Sequence, residues 1–187
     1  MKTESNVMYI LRLAATLLII TSLVAAALAG VNGITSPIIA QKTAEKTQLA
    51  IQAVLPGGGE EMTDLPAVGF EGADLVSKVY KGENGYALEV LPSGFDNTIT
   101  MMVGVDFEGK VLGISVVSHT ETAGLGAVAA AQSSAGEAFR SQFVGKSGSV
   151  AVSKDGGELD AITGATITSR AICVGVNAAL GCVAGLG

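Results

Sequence analysis

The sequence predicts an α+β protein, in which one N-terminal transmembrane helix precedes a single extracytoplasmic domain built on an antiparallel sheet with flanking helices. Three observations lead to this prediction. An uncharged apolar stretch lies near the N-terminus, two pairs of alternating segments follow it, and segments with helical character come after them. A chain of 187 residues provides one hydrophobic core of ordinary size, so we expect one folded domain outside the membrane.

The first element is the stretch LAATLLIITSLVAAALAGV, which carries no charge over Leu13–Val31. As a helix it would be roughly 28 Å long, close to the hydrocarbon thickness of a bilayer. A cleaved signal peptide is the alternative, because Lys2 and Arg12 resemble a positively charged leader and Ala27–Ala29 fits a cleavage site. Either interpretation sends the rest of the chain across the membrane.

We expect the apolar stretch to be retained as an anchor, because a second helix can follow it, with Ser36 as N-cap and Pro37 as first helical residue. Positive charges flank both ends of the span and do not decide its orientation. An N-terminus inside and a large domain outside is the ordinary arrangement. The predicted organisation in the cell (inner) membrane is therefore a cytoplasmic tail at 1–12, a single transmembrane helix at 13–31, a connecting helix and linker at 32–62, and the folded domain at 63–187.

The sheet is predicted by two successive hairpins. LVSKVY and YALEVL flank the turn KGENG, and TITMMVGVDF and VLGISVV flank EGK. The preceding segment LPGGGEE, 55–61, has the composition of a turn or linker, and its paired glutamates are expected to be solvated. Hairpins that follow one another directly predict an antiparallel meander.

The remaining elements follow the meander. The segment 125–143 is predicted to be helical despite Gly136, and 147–160 is predicted to form a strand and a turn. The segment TITSRAICVGVNAAL, 166–180, is predicted to be a closing helix that Gly181 ends.

Charge and cysteine usage exclude several classes of function. A net charge of −6 and a pI near 4.7 provide no basic surface for nucleic acid. Cys173 and Cys182 are nine positions apart, about 13 Å if the segment is helical, which is too far for a disulfide. We expect them to be unpaired and buried. With His119 as the only histidine, a metal site has no support in the sequence.

Hydroxyl side chains are concentrated in DAITGATITSRA, 160–171, at Thr163, Thr166, Thr168 and Ser169. A hydrolase would need a base beside them, and only His119, together with Glu121, could come near in the fold. A helix that begins near Thr166 could hold a phosphate, because its first N–H groups are unpaired and its dipole is positive there. Ordinary helix capping is the alternative, and spacing alone favours it.

Three segments together resemble a known domain. DAITGAT, 160–166, resembles the D-x-x-[ST]-G-A-[ST] flavinylation motif of the FMN-binding domain in the G subunits of Rnf electron-transport complexes and in the NqrC subunits of sodium-translocating NADH:quinone reductases. HTETAGLGA, 119–127, is similar to the H-x-E-T-P-G-L-G stretch of that domain, and FRSQFVGK, 139–146, to its F-x-x-Q-F-x-G-K segment. This sequence has Ala123 where proline is common and Thr163 where serine is common, and both changes are mild.

The resemblance implies that a separate flavin transferase joins FMN to the hydroxyl of Thr166 through a phosphodiester. Asp160, Thr163, Gly164, Ala165 and Thr166 would form the recognition sequence of the transferase, and the last four would also contact the cofactor. The resemblance further places five residues of the second stretch beside the isoalloxazine ring, namely Glu121, Thr122, Gly124, Leu125 and Gly126. It implies no catalytic residue and no metal ligand in this chain.

The resemblance extends from the anchor to the last helix, and the length of the chain fits the shorter Rnf protein better than NqrC. It implies a one-electron relay in a complex that couples electron transfer between ferredoxin and NAD to ion movement, with other membrane and peripheral subunits as partners. An NqrC-like protein and an anchored structural or binding module without flavin are the alternatives.

Overall fold

The structure is a computed structural model that describes residues 2–62 and 70–186, with side chains from residue 7 onwards. Its helices and strands are α1 (Lys2–Val54), β1 (Glu60–Glu61), β2 (Val76–Lys81), β3 (Gly85–Val90), β4 (Thr100–Asp106), β5 (Val111–Ser118), α2 (Ser134–Ser141) and α3 (Thr166–Ala184). Contacts divide the chain into two compact units, Met1–Glu45 and Lys46–Gly187. The start of the domain predicted at residue 63 lies outside the described residues.

The first unit contains the N-terminal part of α1. Between Val7 and Val54 the helix is long and apolar enough to cross a membrane, with a most apolar window of mean hydropathy 2.3 that is fully exposed. The predicted span at 13–31 lies within it. The prediction of a second helix that begins at Ser36 and Pro37 is wrong, because α1 continues through Pro37 without a break. Proline has a helical φ, so the helix can continue where one backbone hydrogen bond is lost.

The five strands form an antiparallel sheet in the order β1-β2-β3-β4-β5, which confirms the predicted meander. Its register aligns apolar residues across the strands: Val79 lies opposite Leu88, Leu88 opposite Val103, and Val103 opposite Ile114. Because side chains alternate between the two faces of a strand, these aligned residues share one face of the sheet.

Helices cover both faces of this sheet. The face that carries Leu88 and Val103 packs in one core with α3 and with Phe143, the residue that follows α2 closely. The opposite face packs against Ile51 and Val54 in the last turns of α1. Burial of apolar side chains on both faces accounts for most of the stability of the domain.

Two short segments differ from the sequence-based prediction. Glu60 and Glu61 form β1 rather than a linker, because pairing with Lys81 and Tyr80 satisfies the free edge of β2. The predicted strand within 147–160 is wrong: this fully described segment forms a 3₁₀ turn at Ser153–Asp155 and makes isolated bridges only. Two glycines follow the 3₁₀ turn, and the chain loops back so that Val152 and Leu159 form an isolated parallel bridge.

The predicted helix over 125–143 is also wrong in extent. The segment forms a 3₁₀ turn at Gly126–Ala129, and α2 begins only at Ser134. Ser133 is extended, and its hydroxyl accepts a hydrogen bond from the N–H of Gly136 at 3.3 Å. Ser133 therefore caps the start of α2, and the 3₁₀ turn and α2 are separate elements.

The closing helix α3 begins at Thr166 as predicted, but it passes through Gly181 and ends at Ala184. Gly181 has a packing role rather than a terminating one, since a Cβ atom there would lie 3.1 Å from Cδ2 of Phe70. Although α3 is apolar enough to cross a membrane, 67% of its apolar window is buried within the domain. It is a core helix.

Cys173 and Cys182 lie on α3, and both are free and buried, as the sequence predicts. Burial raises the pKa of Cys173 to about 11 and also raises the pKa of Cys182. We expect the native full-length protein at pH 8 to gain no label from N-ethylmaleimide within the time in which denatured protein gains two, because the thiolate is the reactive form. The slow native labelling should accelerate as the pH rises towards 11. Equal labelling of native and denatured protein, measured by intact mass, would contradict this prediction.

Candidate functional site

The first turn of α3 lacks a side-chain cap. Thr166 is its first residue, and the N-cap is Ala165, whose φ and ψ are −131° and 45° and which has no oxygen to accept a hydrogen bond. The first backbone N–H groups of a helix have no partner within the helix. The alternative that the threonines here are ordinary caps is therefore wrong, and the helix start can receive an anion.

The four hydroxyls of the segment divide into two classes. Thr168 and Ser169 are buried. Ser169 Oγ donates to the carbonyl of Ala165 at 3.0 Å and accepts from the N–H of Ile162 at 3.0 Å, so it fixes the loop before α3. Thr166 is half-buried and Thr163 is exposed, which leaves both hydroxyls accessible to another molecule.

Gly164 brings the same loop against the HTETAGLGA segment. Its φ of 76° is left-handed, and a Cβ atom there would lie 2.9 Å from Cδ2 of Leu125. A larger residue would be strained and would push Leu125 away. The small Gly-Ala pair therefore has a structural cause, which is the close approach of these two segments.

Glu121 joins three parts of the site. Only 7% of its surface is exposed. One carboxylate oxygen accepts from the backbone N–H groups of Phe95 at 2.9 Å and Asp96 at 3.3 Å, and the other accepts from the hydroxyl of Thr168. Gly126 leaves room for this arrangement, since a Cβ atom there would lie 2.5 Å from both Glu121 Oε2 and Thr168 Oγ1. Glu121 thus ties the loop before β4 to the start of α3.

These elements enclose a pocket of about 320 Å³, a volume in the range of ligand sites. Three exposed apolar side chains, Phe95, Leu125 and Ile167, lie around it, and Thr166 is part of its wall. The pocket is lined by Phe95, Glu121, Thr122, Leu125, Gly126, Lys154, Gly164, Ala165, Thr166, Ile167 and Thr168.

Most residues assigned to the site from the sequence line this pocket. Gly124, Thr163 and Asp160 are not among the described residues of its wall. Asp160 instead contacts Gln142 through its backbone: its N–H donates to Gln142 Oε1 at 2.7 Å, and its carbonyl accepts from Gln142 Nε2 at 3.3 Å. The segment 160–166 is therefore in contact with both other segments that carry the resemblance, with 119–127 through Gly164 and with 139–146 through Asp160.

Sequence reasoning missed Phe95, Lys154, Ile167 and Thr168 as pocket residues. Lys154 Nζ donates to Thr166 Oγ1 at 3.2 Å. The next residue, Asp155, accepts two hydrogen bonds of 2.6 Å from the Arg170 guanidinium, which hold the pKa of Asp155 below its ordinary value. Lys154 precedes Thr166 by twelve positions, and no periodicity connects the two.

His119 does not reach the hydroxyl cluster. It lines a separate cavity, beside Ala50 and Ala53 of α1 and Ser118 of β5. Its Nδ1 atom is buried and has no hydrogen-bond partner among the residues that the structure describes. The arrangement of His119 beside the cluster that a hydrolase would need is absent from the described part of the chain.

A larger cavity, about 510 Å³, lies elsewhere, between α3 and the turns around Gly72, Gly109 and Gly148. Glycines and apolar side chains form most of its wall, and Asn177 there already bonds with the backbone of Val150 in both directions. The polar groups that could act on a ligand converge at the smaller pocket beside Thr166.

Comparison with known proteins identifies the domain that holds this pocket. The model of the FMN-binding domain family matches residues 94–181, which include Glu121 and Thr166. The chain is 30% identical to the G subunit of the Na(+)-translocating ferredoxin:NAD(+) oxidoreductase complex of Acetobacterium woodii, over 94% of this chain and 92% of that protein.

Two further relatives show the same relationship. The chain is 35% identical to the G subunit of the ion-translocating oxidoreductase complex of Photorhabdus laumondii, over 84% of this chain and 82% of that protein. It is 36% identical to the G subunit of the proton-translocating ferredoxin:NAD(+) oxidoreductase complex of Clostridium ljungdahlii, over 82% and 80% respectively. With an FMN-binding domain in which the segments 119–127 and 160–166 line one pocket, and with relatives of 30–36% identity over most of its length, the chain belongs to the family of G subunits of Rnf-type ion-translocating oxidoreductase complexes.

Proposed function

We propose that the chain carries FMN in a phosphodiester link to Thr166 and relays electrons within an Rnf-type ion-translocating ferredoxin:NAD oxidoreductase complex. The observation that carries this proposal is the half-buried hydroxyl of Thr166, which lies at an uncapped helix start and in the wall of a pocket with an apolar rim. These features fit the two ends of FMN, because the phosphate suits the helix start and the ring suits the rim.

The helix start holds the phosphate end of the cofactor. The N–H groups of the first turn of α3 and its positive dipole stabilise an anion bonded to Thr166 Oγ1. The N-cap Ala165 presents no side-chain oxygen that would compete for these groups. A threonine or aspartate at position 165 would occupy them, so the alanine in the motif has a chemical reason.

The apolar side chains around the pocket form the binding surface for the isoalloxazine ring of FMN. Phe95, Leu125 and Ile167 expose large apolar surfaces beside Thr166, and contact with a flat aromatic ring would remove them from water. Thr122 and Gly126 line the same wall, and their backbone N–H groups are candidates to tune the ring by hydrogen bonding. FMN, when bound, supplies the ring system that accepts and releases electrons.

Attachment requires an external transferase. Thr166 Oγ1 would form the new bond to phosphorus, while the phosphoanhydride bond of an activated flavin dinucleotide breaks and a nucleotide leaves. The proton of Thr166 must go to a base of the flavin transferase, because the hydroxyl is too weakly acidic to react alone. Glu121 is the one carboxylate among the described residues of the pocket wall, and its oxygens already accept three hydrogen bonds.

The membrane arrangement belongs to the same proposal. The apolar part of α1 would cross the cell membrane once, with the FMN-binding domain on the extracytoplasmic side and the other subunits of the complex as partners. A covalent link makes flavin binding intramolecular, so dilution outside the cell cannot remove the cofactor.

Native full-length protein, produced together with an active flavin transferase, should give a fluorescent band on a denaturing gel under ultraviolet light. Its intact mass should exceed the mass of its amino acids by one FMN less one water. The same protein from cells without the transferase should have no fluorescence and no added mass. A colourless protein of unmodified mass from the first preparation would contradict the proposal and favour an anchored module without flavin.

A further inference from the structure

We propose that Lys154 binds the phosphate group that links FMN to Thr166 and accelerates its attachment by placing a positive charge beside Thr166 Oγ1. This inference rests on the proposed function. Lys154 lies outside all three sequence segments that carry the family resemblance, and it comes from a loop rather than from α3.

The contact between Lys154 and Thr166 is direct. The ammonium Nζ donates to Thr166 Oγ1 at 3.2 Å, and Lys154 contributes to the pocket wall. A phosphorus atom bonded to this oxygen would bring its own oxygens within reach of the same ammonium. Lysine binds phosphate as a compact point charge. A rotation of the Lys154 side chain is therefore enough to move its ammonium from Thr166 Oγ1 to the phosphate oxygens.

The backbone around Lys154 is fixed against α3. Lys154 is the middle residue of the 3₁₀ turn Ser153–Asp155, and Asp155 accepts both hydrogen bonds of the Arg170 fork at 2.6 Å. Because Arg170 lies in the second turn of α3, this bidentate pair sets the turn beside the helix start. At the other end, the N–H of Ser153 donates to the carbonyl of buried Leu159 at 2.7 Å.

The charge balance of the site gives Lys154 its importance. The chain has a net charge of −6, and Glu121 adds a carboxylate to the pocket wall. Lys154 is the one cation among the described residues that line the pocket. When Thr166 Oγ1 bonds to phosphorus and the nucleotide leaves, negative charge increases on the phosphoryl oxygens, and an ammonium beside them lowers the barrier. The proton of Thr166 goes to the base of the transferase, so the proposed role of Lys154 is electrostatic and requires no proton transfer.

The test measures the rate of flavin attachment to full-length protein in detergent. Protein is purified from cells without transferase and mixed with purified flavin transferase and flavin dinucleotide, and intact mass follows FMN incorporation. Lys154→Gln should be labelled about tenfold more slowly than wild type at low salt, the size expected for one charge-assisted hydrogen bond. Lys154→Arg, which keeps the charge, should recover most of the rate. Lys110→Gln removes the same charge at the β4–β5 turn and should be labelled at the wild-type rate.

Two further measurements separate a phosphate contact from a general effect on the fold or on the transferase. The difference between wild type and Lys154→Gln should shrink as salt increases, because salt screens an accessible charge. Once both proteins are fully labelled, the rise in melting temperature caused by FMN should be smaller in Lys154→Gln, because binding to the native state alone stabilises it.

Wild-type rates for Lys154→Gln would overturn the inference, as would equal slowing of Lys154→Arg or Lys110→Gln. An equal rise in melting temperature in both labelled proteins would also overturn it. A parallel reaction with Thr166→Ala distinguishes this failure from failure of the proposed function: FMN on that variant contradicts the attachment site itself, whereas an unlabelled Thr166→Ala leaves the function standing whatever Lys154 does.

Discussion

Thr166→Ala is expected to remove covalent FMN completely while the fold remains. The substitution deletes the only atom of this residue that can bond to phosphorus. The hydroxyl of Thr166 is not a helix cap and its one hydrogen bond, from Lys154, lies at the surface, so the free energy of unfolding should change by less than about 0.5 kcal/mol. Intact mass of the variant, produced with the flavin transferase, should equal the mass of its amino acids.

Thr166→Ser is the matched control, because it keeps the hydroxyl and should still acquire FMN. Peptide mapping adds a second control. Trypsin cleavage after Lys154 and Arg170 gives the peptide 155–170, which contains all four hydroxyls of the cluster. Fragmentation of that peptide from wild type should place the added mass on Thr166. FMN on Thr163, or on the Thr166→Ala protein, would show that the attachment site is wrong.

The sequence predicted the elements whose signal is local and repeated. Strands β2–β5 are rich in β-branched and other apolar residues, and the pairs β2–β3 and β4–β5 are joined by short turns that contain glycine, so these two pairings follow from neighbouring residues alone. The start of α3 at Thr166 was predicted for the same reason, since a Gly-Ala pair precedes a long apolar run. By contrast, a strand of two residues such as β1 is too short to show any period.

The errors in the helices have different causes. Gly181 has the composition of a helix end, but α3 passes through it, and Phe70 packs where a side chain would be. That packing cannot be inferred without knowing what lies across the core. The start of α2 is instead a local feature, because the hydroxyl of Ser133 accepts from the N–H of Gly136 and caps the helix there.

The residues of the candidate site fall into two groups, those that the sequence assigns to it and those that only the fold brings there. Thr166, Glu121 and Gly126 were assigned to it because they lie in segments that resemble known ones, and all three line the pocket. Phe95 and Lys154 come from loops far along the chain and reach the pocket only through folding. The place of Glu121 beside the ring stays a prediction, and its hydrogen bonds in the structure, which the sequence does not reveal, are made to the protein itself.

This structural role of Glu121 predicts a large loss of stability for Glu121→Ala. The change leaves the N–H groups of Phe95 and Asp96 and the hydroxyl of buried Thr168 without their acceptor, and it opens a cavity beside Gly126. Loss of acceptors at a buried site costs about 2–4 kcal/mol, and for a domain of this size that corresponds to a fall of roughly 10 °C in melting temperature. Thermal unfolding of the full-length protein in detergent measures it.

Two control variants test whether the loss of stability in Glu121→Ala comes from the missing hydrogen-bond acceptor. One removes the charge of Glu121 but keeps an acceptor, and the other removes a glutamate elsewhere. Glu121→Gln keeps the volume and retains an oxygen that can accept from Phe95 and Asp96, so it should lose less than half as much stability as Glu121→Ala. Glu108→Ala removes an exposed carboxylate at the β4–β5 turn and should change the free energy of unfolding by less than about 0.5 kcal/mol. If Glu121→Ala melted as Glu108→Ala does, the carboxylate would not hold the loop and the helix together, and its place in the pocket would have to be explained by contact with the cofactor.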